Sequence, residues 1–368
     1  AVLSRAGPLS SALSSQLGSR AVAMAGGFLA GMGLLLAAFS RHLAHIYLSL
    51  GLLAGGLGWA LVFTPSLAAV GCWFPGRRAL AMALAVSGAS VSSLALGPIL
   101  PLLLDSYGWR GSLLLLAAIS FNLIAAGALL RPLPTAENQS VALPQQRAPR
   151  LVDLLRHRPF LLYAAAFLLV DAGYYVPFVH GEARAHELGC DEQQAGFLLA
   201  AMAALDGIGR LAAGWLAAQP MAPRLLRQLF AWLVVSSLAL LLLPVGRSFG
   251  VLLALGGFYG LGAGGVVPLQ FAGVAEVVGA SRLVHAIGMM QMMESVGSLL
   301  GPPLAGWLRD KTGDFTISFL TAAAFLLAGS FLLLLLPGFF STSQASEGKE
   351  TPGPRPESLE MSPCPLEP

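Results

Sequence analysis

Four ionisable side chains stand inside stretches of sequence that are otherwise apolar: Asp171 in LLVDAGYYVPF, Asp206 and Arg210 in LDGIGRLAAGWL, and Glu294 in QMMESVG. Asp206 and Arg210 are the pair with the clearest chemistry. An i,i+4 spacing on a helix puts both on one face, with the acid N-terminal to the base, the favourable order for an ion pair. A guanidinium presents a flat fork of N–H donors to a carboxylate. A neighbouring acid can neutralise that fork when it is empty and take up a proton when it is filled. The pair therefore reads as an anchor for a small anion, Arg210, beside a proton-coupling acid, Asp206. The competing reading is a self-satisfied pair that fixes helix packing.

The surroundings of these residues set the stakes. The chain of 368 residues is 56% hydrophobic and 11% charged, with a mean hydropathy of +0.75, a balance that no soluble globular domain shows. This composition predicts an all-α polytopic membrane protein. Asp206 lies eleven residues beyond Ala195, where its apolar run begins, and so about 16 Å deep, near the midplane of a bilayer. A charge there costs at least about 2.5 kcal/mol, so both members of the pair must face a bundle interior or a wet cavity.

Other chemistries find no support. No G-x-S-x-G, H-E-x-x-H or Walker A pattern occurs, which argues against an enzyme or an ATP-driven pump. Cys72, Cys190 and Cys364 have neither metal-site nor disulfide-framework spacing, and no metal or cofactor is expected. A net charge of +3 without basic blocks interleaved with aromatics sets nucleic-acid binding aside.

Apolar runs long enough to span a bilayer are expected at residues 21–40, 45–72, 79–104 and 111–130, after a shorter helical piece before residue 16. Six more follow at 159–180, 195–217, 225–245, 249–278, 284–308 and 315–336. Between the groups lies a Pro- and Gln-rich connector, and the Ser-, Pro- and Glu-rich stretch from Ser341 reads as a disordered tail. The expected organisation is an N-terminal bundle 1–131, a connector 132–158, a C-terminal bundle 159–340 and a tail 341–368. Alternating the loops puts Arg20, Arg77, Arg78, five arginines at 131–158, Arg224, Arg227 and Arg282 on one side. Arg41, Arg110, Arg184, Arg247, Arg309 and Lys311 fall on the other, so the connector and tail are expected in the cytoplasm. The sequon at Asn138 would then stay unglycosylated.

An offset of 204 residues relates the two groups. It maps Gly56 onto Gly260, Gly58 onto Gly262, Arg78 onto Arg282, Gly97 onto Gly301 and Pro98 onto Pro302. After a one-residue gap, Asp105 to Gly108 fall on Asp310 to Gly313. The second group opens near Pro159, so the same arithmetic expects the first to open about 45 residues before Ala1, with one span and part of the next lying there. The expected whole is six plus six helices, and a chain starting at Ala1 is expected not to transport by itself. Pro98 and Pro302-Pro303, each following a glycine, are expected to bend their helices.

Two six-helix bundles joined by a basic connector resemble the major facilitator superfamily fold. The stretch WFPGRRALAMALAVSG, with Phe74, Arg77, Arg78 and Gly88, resembles the signature at the start of the fifth helix of the monocarboxylate transporters; Gly76 and Ala83 depart from it. YGWRGSLLLL, GALLRP, GYYVPFVH and MESVGSLLGPPLAGWLRDKTGDF also have that family's character. The resemblance implies a secondary active transporter that carries a small monocarboxylate, of the lactate or pyruvate type, together with a proton. It implies that Arg210 binds the substrate and Asp206 handles the proton, and that a first-helix lysine, outside this chain, is a second carboxylate anchor. Glu294 fits a family acid position, with a gating or packing role equally open. Asp171 and the tyrosines Tyr174 and Tyr175 are candidate pathway residues, against structural readings as a hydrogen-bonded acid and interfacial anchors. Lone His180 and His285 near span ends read as structural, and Glu276 as a gate or surface pair with Arg282. The resemblance further implies a single-span glycoprotein partner of the basigin kind and a plasma-membrane location, with Golgi or endoplasmic reticulum as the alternative. Two other functions stay open: proton-independent transport of another small solute, and a receptor or scaffold that has kept the fold.

Overall fold

The structure, a computed structural model, describes residues 7–130, 154–221, 224–279 and 282–336. The connector between 131 and 153, the tail, Asn138 and Cys364 lie outside the described residues. All regular structure among the described residues is helical. The helices are α1 (Gly7–Leu17), α2 (Ser19–Ala38), α3 (Leu43–Trp73), α4 (Arg78–Ala128), α5 (Arg158–Tyr174) and α6 (Val176–Glu187). They continue with α7 (Glu192–Ala217), α8 (Leu225–Leu242), α9 (Phe249–Val278), α10 (Leu283–Thr312) and α11 (Thr316–Leu334). Nine stretches among them are long and apolar enough to cross a membrane. The expected span at 284–308 corresponds to α10, which is thirty residues long but less apolar, because it carries Gln291, Glu294, two prolines and the Arg309–Lys311 cluster.

The spans arise where the sequence predicts them, with one added break. The expected span at 159–180 is two helices that meet at Tyr175. Pro177, in the first turn of α6, has no N–H to give the preceding helix, so the chain restarts there. At Pro98 the helix is not interrupted. Helical dihedrals run through residue 98, and the non-helical residue within α4 is Gly108, at φ 64° and ψ 175°, a conformation open to glycine. That glycine separates the two spans expected at 79–104 and 111–130. α10 also runs through Pro302 and Pro303 without interruption, and ends at Gly313 in the left-handed region, where its N–H bonds Arg309 O. Gly108 and Gly313, paired by the offset after its one-residue gap, thus both mark the ends of equivalent stretches with a positive φ, though with different ψ. The middle of α3, Tyr47–Gly58, is π-helical, a strained form that its four glycines accommodate.

Packing follows small residues. α2 lies against α3 and α4, and α7 against α9 and α4; α5 is flanked by α10 and α11, and α8 by α9 and α11. Gly58 of α3 faces Ala30 of α2, and Gly262 of α9 faces Ser236 of α8, again as the offset expects. One apolar core, with Leu67, Met82, Phe160, Ala213, Leu229 and Ile287, joins α3 and α4 to the later helices at the end where the connector attaches. A second core, with Leu198, Tyr259, Phe319 and Leu326, draws on the later helices alone, at the opposite end. Trp73 and Trp215 are exposed at the connector end and Trp109 and Trp307 at the other, the positions of two interfacial belts.

Candidate functional site

α7 starts where its sequence says it should. Asp191 accepts from Gln194 N at 2.7 Å and Gln194 Oε1 accepts from Asp191 N at 3.3 Å, a reciprocal cap that fixes the helical phase. In that phase Asp206 and Arg210 point the same way, and Arg210 Nε donates to Asp206 Oδ2 at 2.8 Å. Asp206 is only 5% exposed. Its Oδ1 is buried and has no hydrogen-bond partner among the described residues. A carboxylate oxygen left that way in an apolar interior costs free energy.

Two neighbours hold the pair in place. Behind it, α9 approaches α7 backbone to backbone: a Cβ on Gly264 would meet the Asp206 main chain, 2.8 Å from its Cα, and one on Gly209 would meet Gly265 N at 3.2 Å. In front, α4 supplies polar partners. Ser90 Oγ donates to Asp206 Oδ2 at 2.7 Å, and Arg210 Nη1 donates to the Val86 carbonyl at 2.8 Å. The α4–α7 contact continues toward the connector end, where Gly214 lies against Ala83 and Leu80. Away from that end the two helices part, and Gly97 and Gly196 face open space.

A second polar group lies on the neighbouring helices. Glu294 of α10 is buried and accepts from Gln270 Nε2 of α9, and Tyr163 of α5 donates to the Gln270 carbonyl at 2.7 Å. Thr64 of α3 donates to Gln291 Oε1 of α10 at 2.8 Å. Asp171 of α5 is half-buried, makes no hydrogen bond among the described residues, and lies within electrostatic range of Glu294. Tyr175, 43% exposed, is within range of Asp171, Glu294, Arg210 and Asp206, so it borders both groups. Tyr174 is different: it is buried in the second core, and its carbonyl accepts from Tyr259 at 2.7 Å. Like Tyr175 it lies within electrostatic range of Asp206 and Arg210, from a buried position.

The remaining candidates sit at the ends. In the signature stretch, Arg78 Nε donates to Gly71 O at 2.8 Å and ties α4 to α3, while Phe74 and Arg77 are exposed and Gly88 faces open space. Arg77, Arg78 and Glu276 line one cleft at the connector end. His180 bonds the Pro302 carbonyl at 2.9 Å and packs beside Phe315, a structural role. Sequence reasoning missed Ser90, Gln270, Gln291 and Thr64. The two glutamines were detectable as polar residues inside apolar runs; Ser90 stands in a run of small residues and carried no signal.

The arrangement pairs one forked cation with an acid that has a vacant oxygen, midway along α7, and Tyr175 lies within range of both this pair and the acids Asp171 and Glu294. It can hold a small anion and store protons. Among the described residues no group of His, Cys, Asp and Glu has the geometry of a metal site. A profile described as Major Facilitator Superfamily matches residues 4–245 and 182–363. Monocarboxylate transporter 13 of Rattus norvegicus is 46% identical over 342 residues, 93% of this chain and 79% of that protein. Monocarboxylate transporter 11 of Mus musculus is 45% identical over 92% of this chain and 76% of its own. Among solved structures, the Escherichia coli fucose:proton symporter superposes with a TM-score of 0.72 at 18% identity, covering 90% of this chain and 87% of that one.

Proposed function

Because this chain belongs to the major facilitator superfamily, and within it to the monocarboxylate transporters, we propose that it moves a small monocarboxylate of the lactate or pyruvate type together with a proton. It is an integral multi-pass membrane protein of a transporter family, not an enzyme. Arg210 receives the carboxylate, and Asp206 carries the proton. The observation that supports this reading is the state of Asp206: its Oδ2 is taken by Ser90 and Arg210, and its buried Oδ1 is vacant. When a substrate carboxylate claims Arg210, Asp206 loses its countercharge in a low-dielectric interior, and a proton on Oδ1 neutralises it. Anion and proton then cross as a neutral sum.

The same reading assigns residues 1–131 and 159–340 to two bundles that move against each other. With the connector side in the cytoplasm, the joined core at that end closes the inner mouth, and the parting of α4 and α7 beyond Ser90 opens the outer one. Asp171, Glu294 and Tyr175 border the route. The plasma membrane and a basigin-type partner belong to this proposal as expectations from the family. The test is exchange of labelled pyruvate in proteoliposomes holding the intact protein. Arg210→Ala should reduce it by about 30-fold or more, since removing one partner of a buried, hydrogen-bonded charge pair between site and ligand costs about 2 kcal/mol or more. Exchange that survives Arg210→Ala would refute the anchor role.

A further inference from the structure

The buried pair is also a joint between helices far apart in sequence. Ser90 and Asp206 are separated by 116 residues, and Val86 and Arg210 by 124, yet both contacts are hydrogen bonds under 3 Å from α4 to α7. A guanidinium offers a carboxylate two edges for two-point binding, Nε with Nη2 or Nη1 with Nη2. Here Nε is held by Asp206, and Nη1 by the Val86 carbonyl; Nη2 makes no hydrogen bond among the described residues. Every two-point approach therefore displaces something. Of the two occupants, the neutral carbonyl is the weaker acceptor, so it yields first.

We propose that Ser90 is a positioning residue for the carboxylate site, and that Ser90 with the Val86 carbonyl makes occupation of that site and closure of the α4–α7 seam mutually exclusive. Ser90 holds Asp206 Oδ2 in line with Arg210 Nε and turns Nη1 toward Val86 while the seam is shut. A substrate carboxylate takes Nη1 with Nη2, Val86 is released, and α4 separates from α7 from the level of Ser90 toward Gly214. Gly207, whose added Cβ would come within 3.1 Å of Ser90 Cβ, leaves room for this clasp. The inference rests on Arg210 being the anion anchor.

The test reads the seam directly. Spin labels at Gly76→Cys and Gln219→Cys sit on opposite sides of the cleft at the connector ends of α4 and α7, and a Cβ at residue 76 meets nothing within 4 Å. Distances between them are measured in the intact protein in nanodiscs, with and without pyruvate. Pyruvate should shift the population from short to long distances. Ser90→Ala removes a hydrogen bond to a charged group and should weaken the closed seam about tenfold. It should populate the long distance without pyruvate and lower the half-saturating pyruvate concentration several-fold, because less closed protein competes with substrate. Ser90→Thr, which keeps the hydroxyl, should restore the original distances and half-saturation. A Ser90→Ala variant with unchanged distances and unchanged half-saturation overturns the proposal, as does Ser90→Thr behaving like Ser90→Ala. If pyruvate moves nothing and exchange survives Arg210→Ala, the anion reading of Arg210 fails and takes this inference with it; a pyruvate response that Ser90→Ala leaves untouched sinks this inference alone.

Discussion

At the scale of single residues, the chemistry concentrates on one acid with two different oxygens. Asp206 Oδ2 is held by Ser90 and Arg210, whereas Oδ1 is buried without a partner. Asp206→Asn keeps the shape but cannot take up a proton as a carboxylate does, so it should abolish proton-linked net uptake while the protein still folds, checked by size-exclusion chromatography beside the uptake assay. Gln270 gives a second residue-level prediction. It is the donor that satisfies Glu294, so Gln270→Leu leaves a buried acid unpaired and should destabilise the protein by about 1–3 kcal/mol, read as a lower melting midpoint in detergent. The Asp206–Arg210 contact was legible in the sequence, because an i,i+4 spacing on a helix needs no tertiary knowledge. Ser90 was not, since a hydroxyl in LAVSGASVSS looks like its neighbours until α7 is laid against it, and its partner lies on a distant helix.

At the scale of helices, glycines set the depth at which that acid sits. Gly264 and Gly209 let α7 and α9 approach until side chains no longer fit between them. Gly264→Val should push α7 away, costing about 1–3 kcal/mol and disturbing the Asp206 position, so thermal stability and exchange should fall together. A variant with full stability and full exchange would mean that the interface relaxes freely. The spans themselves were readable from length and hydropathy, because the bilayer dictates both. The interruption between 104 and 111 was readable as a gap between two spans, though not the residue that makes it. Helical dihedrals run through Pro98, since a helix tolerates proline where its lost hydrogen bond and ring can be accommodated. Gly108, with a positive φ, turned out to be the residue that separates the spans. The boundary at Tyr175 between α5 and α6 does have a local mark, Pro177 two residues on, but a span defined by hydropathy alone runs straight through it.

At the scale of the molecule, α3 and α4 join the later helices at the connector end, while Gly97 and Gly196 face open space at the other, so the proposed function reads this state as open on the side away from the connector. With the connector in the cytoplasm, a cysteine at Gly97 or Gly196 should react with a membrane-impermeant maleimide added outside cells, and one at Gly76 only after permeabilisation, in a background free of native cysteines. The opposite pattern would invert the topology inferred from the arginines. The general architecture was foreseeable from composition and the 204-residue offset, since both reflect how apolar spans repeat. Which mouth is closed depends on side-chain packing between α4 and α7, and no periodicity encodes that. The central claim is that the carboxylate and the proton share one site. Its most direct measurement is the internal pH of proteoliposomes holding the intact protein, followed with a trapped dye when pyruvate is added outside. Coupled entry predicts prompt internal acidification in the wild type and none in Asp206→Asn or Arg210→Ala. Labelled pyruvate that enters the wild type without acidification, or acidification that persists in Asp206→Asn, would contradict it.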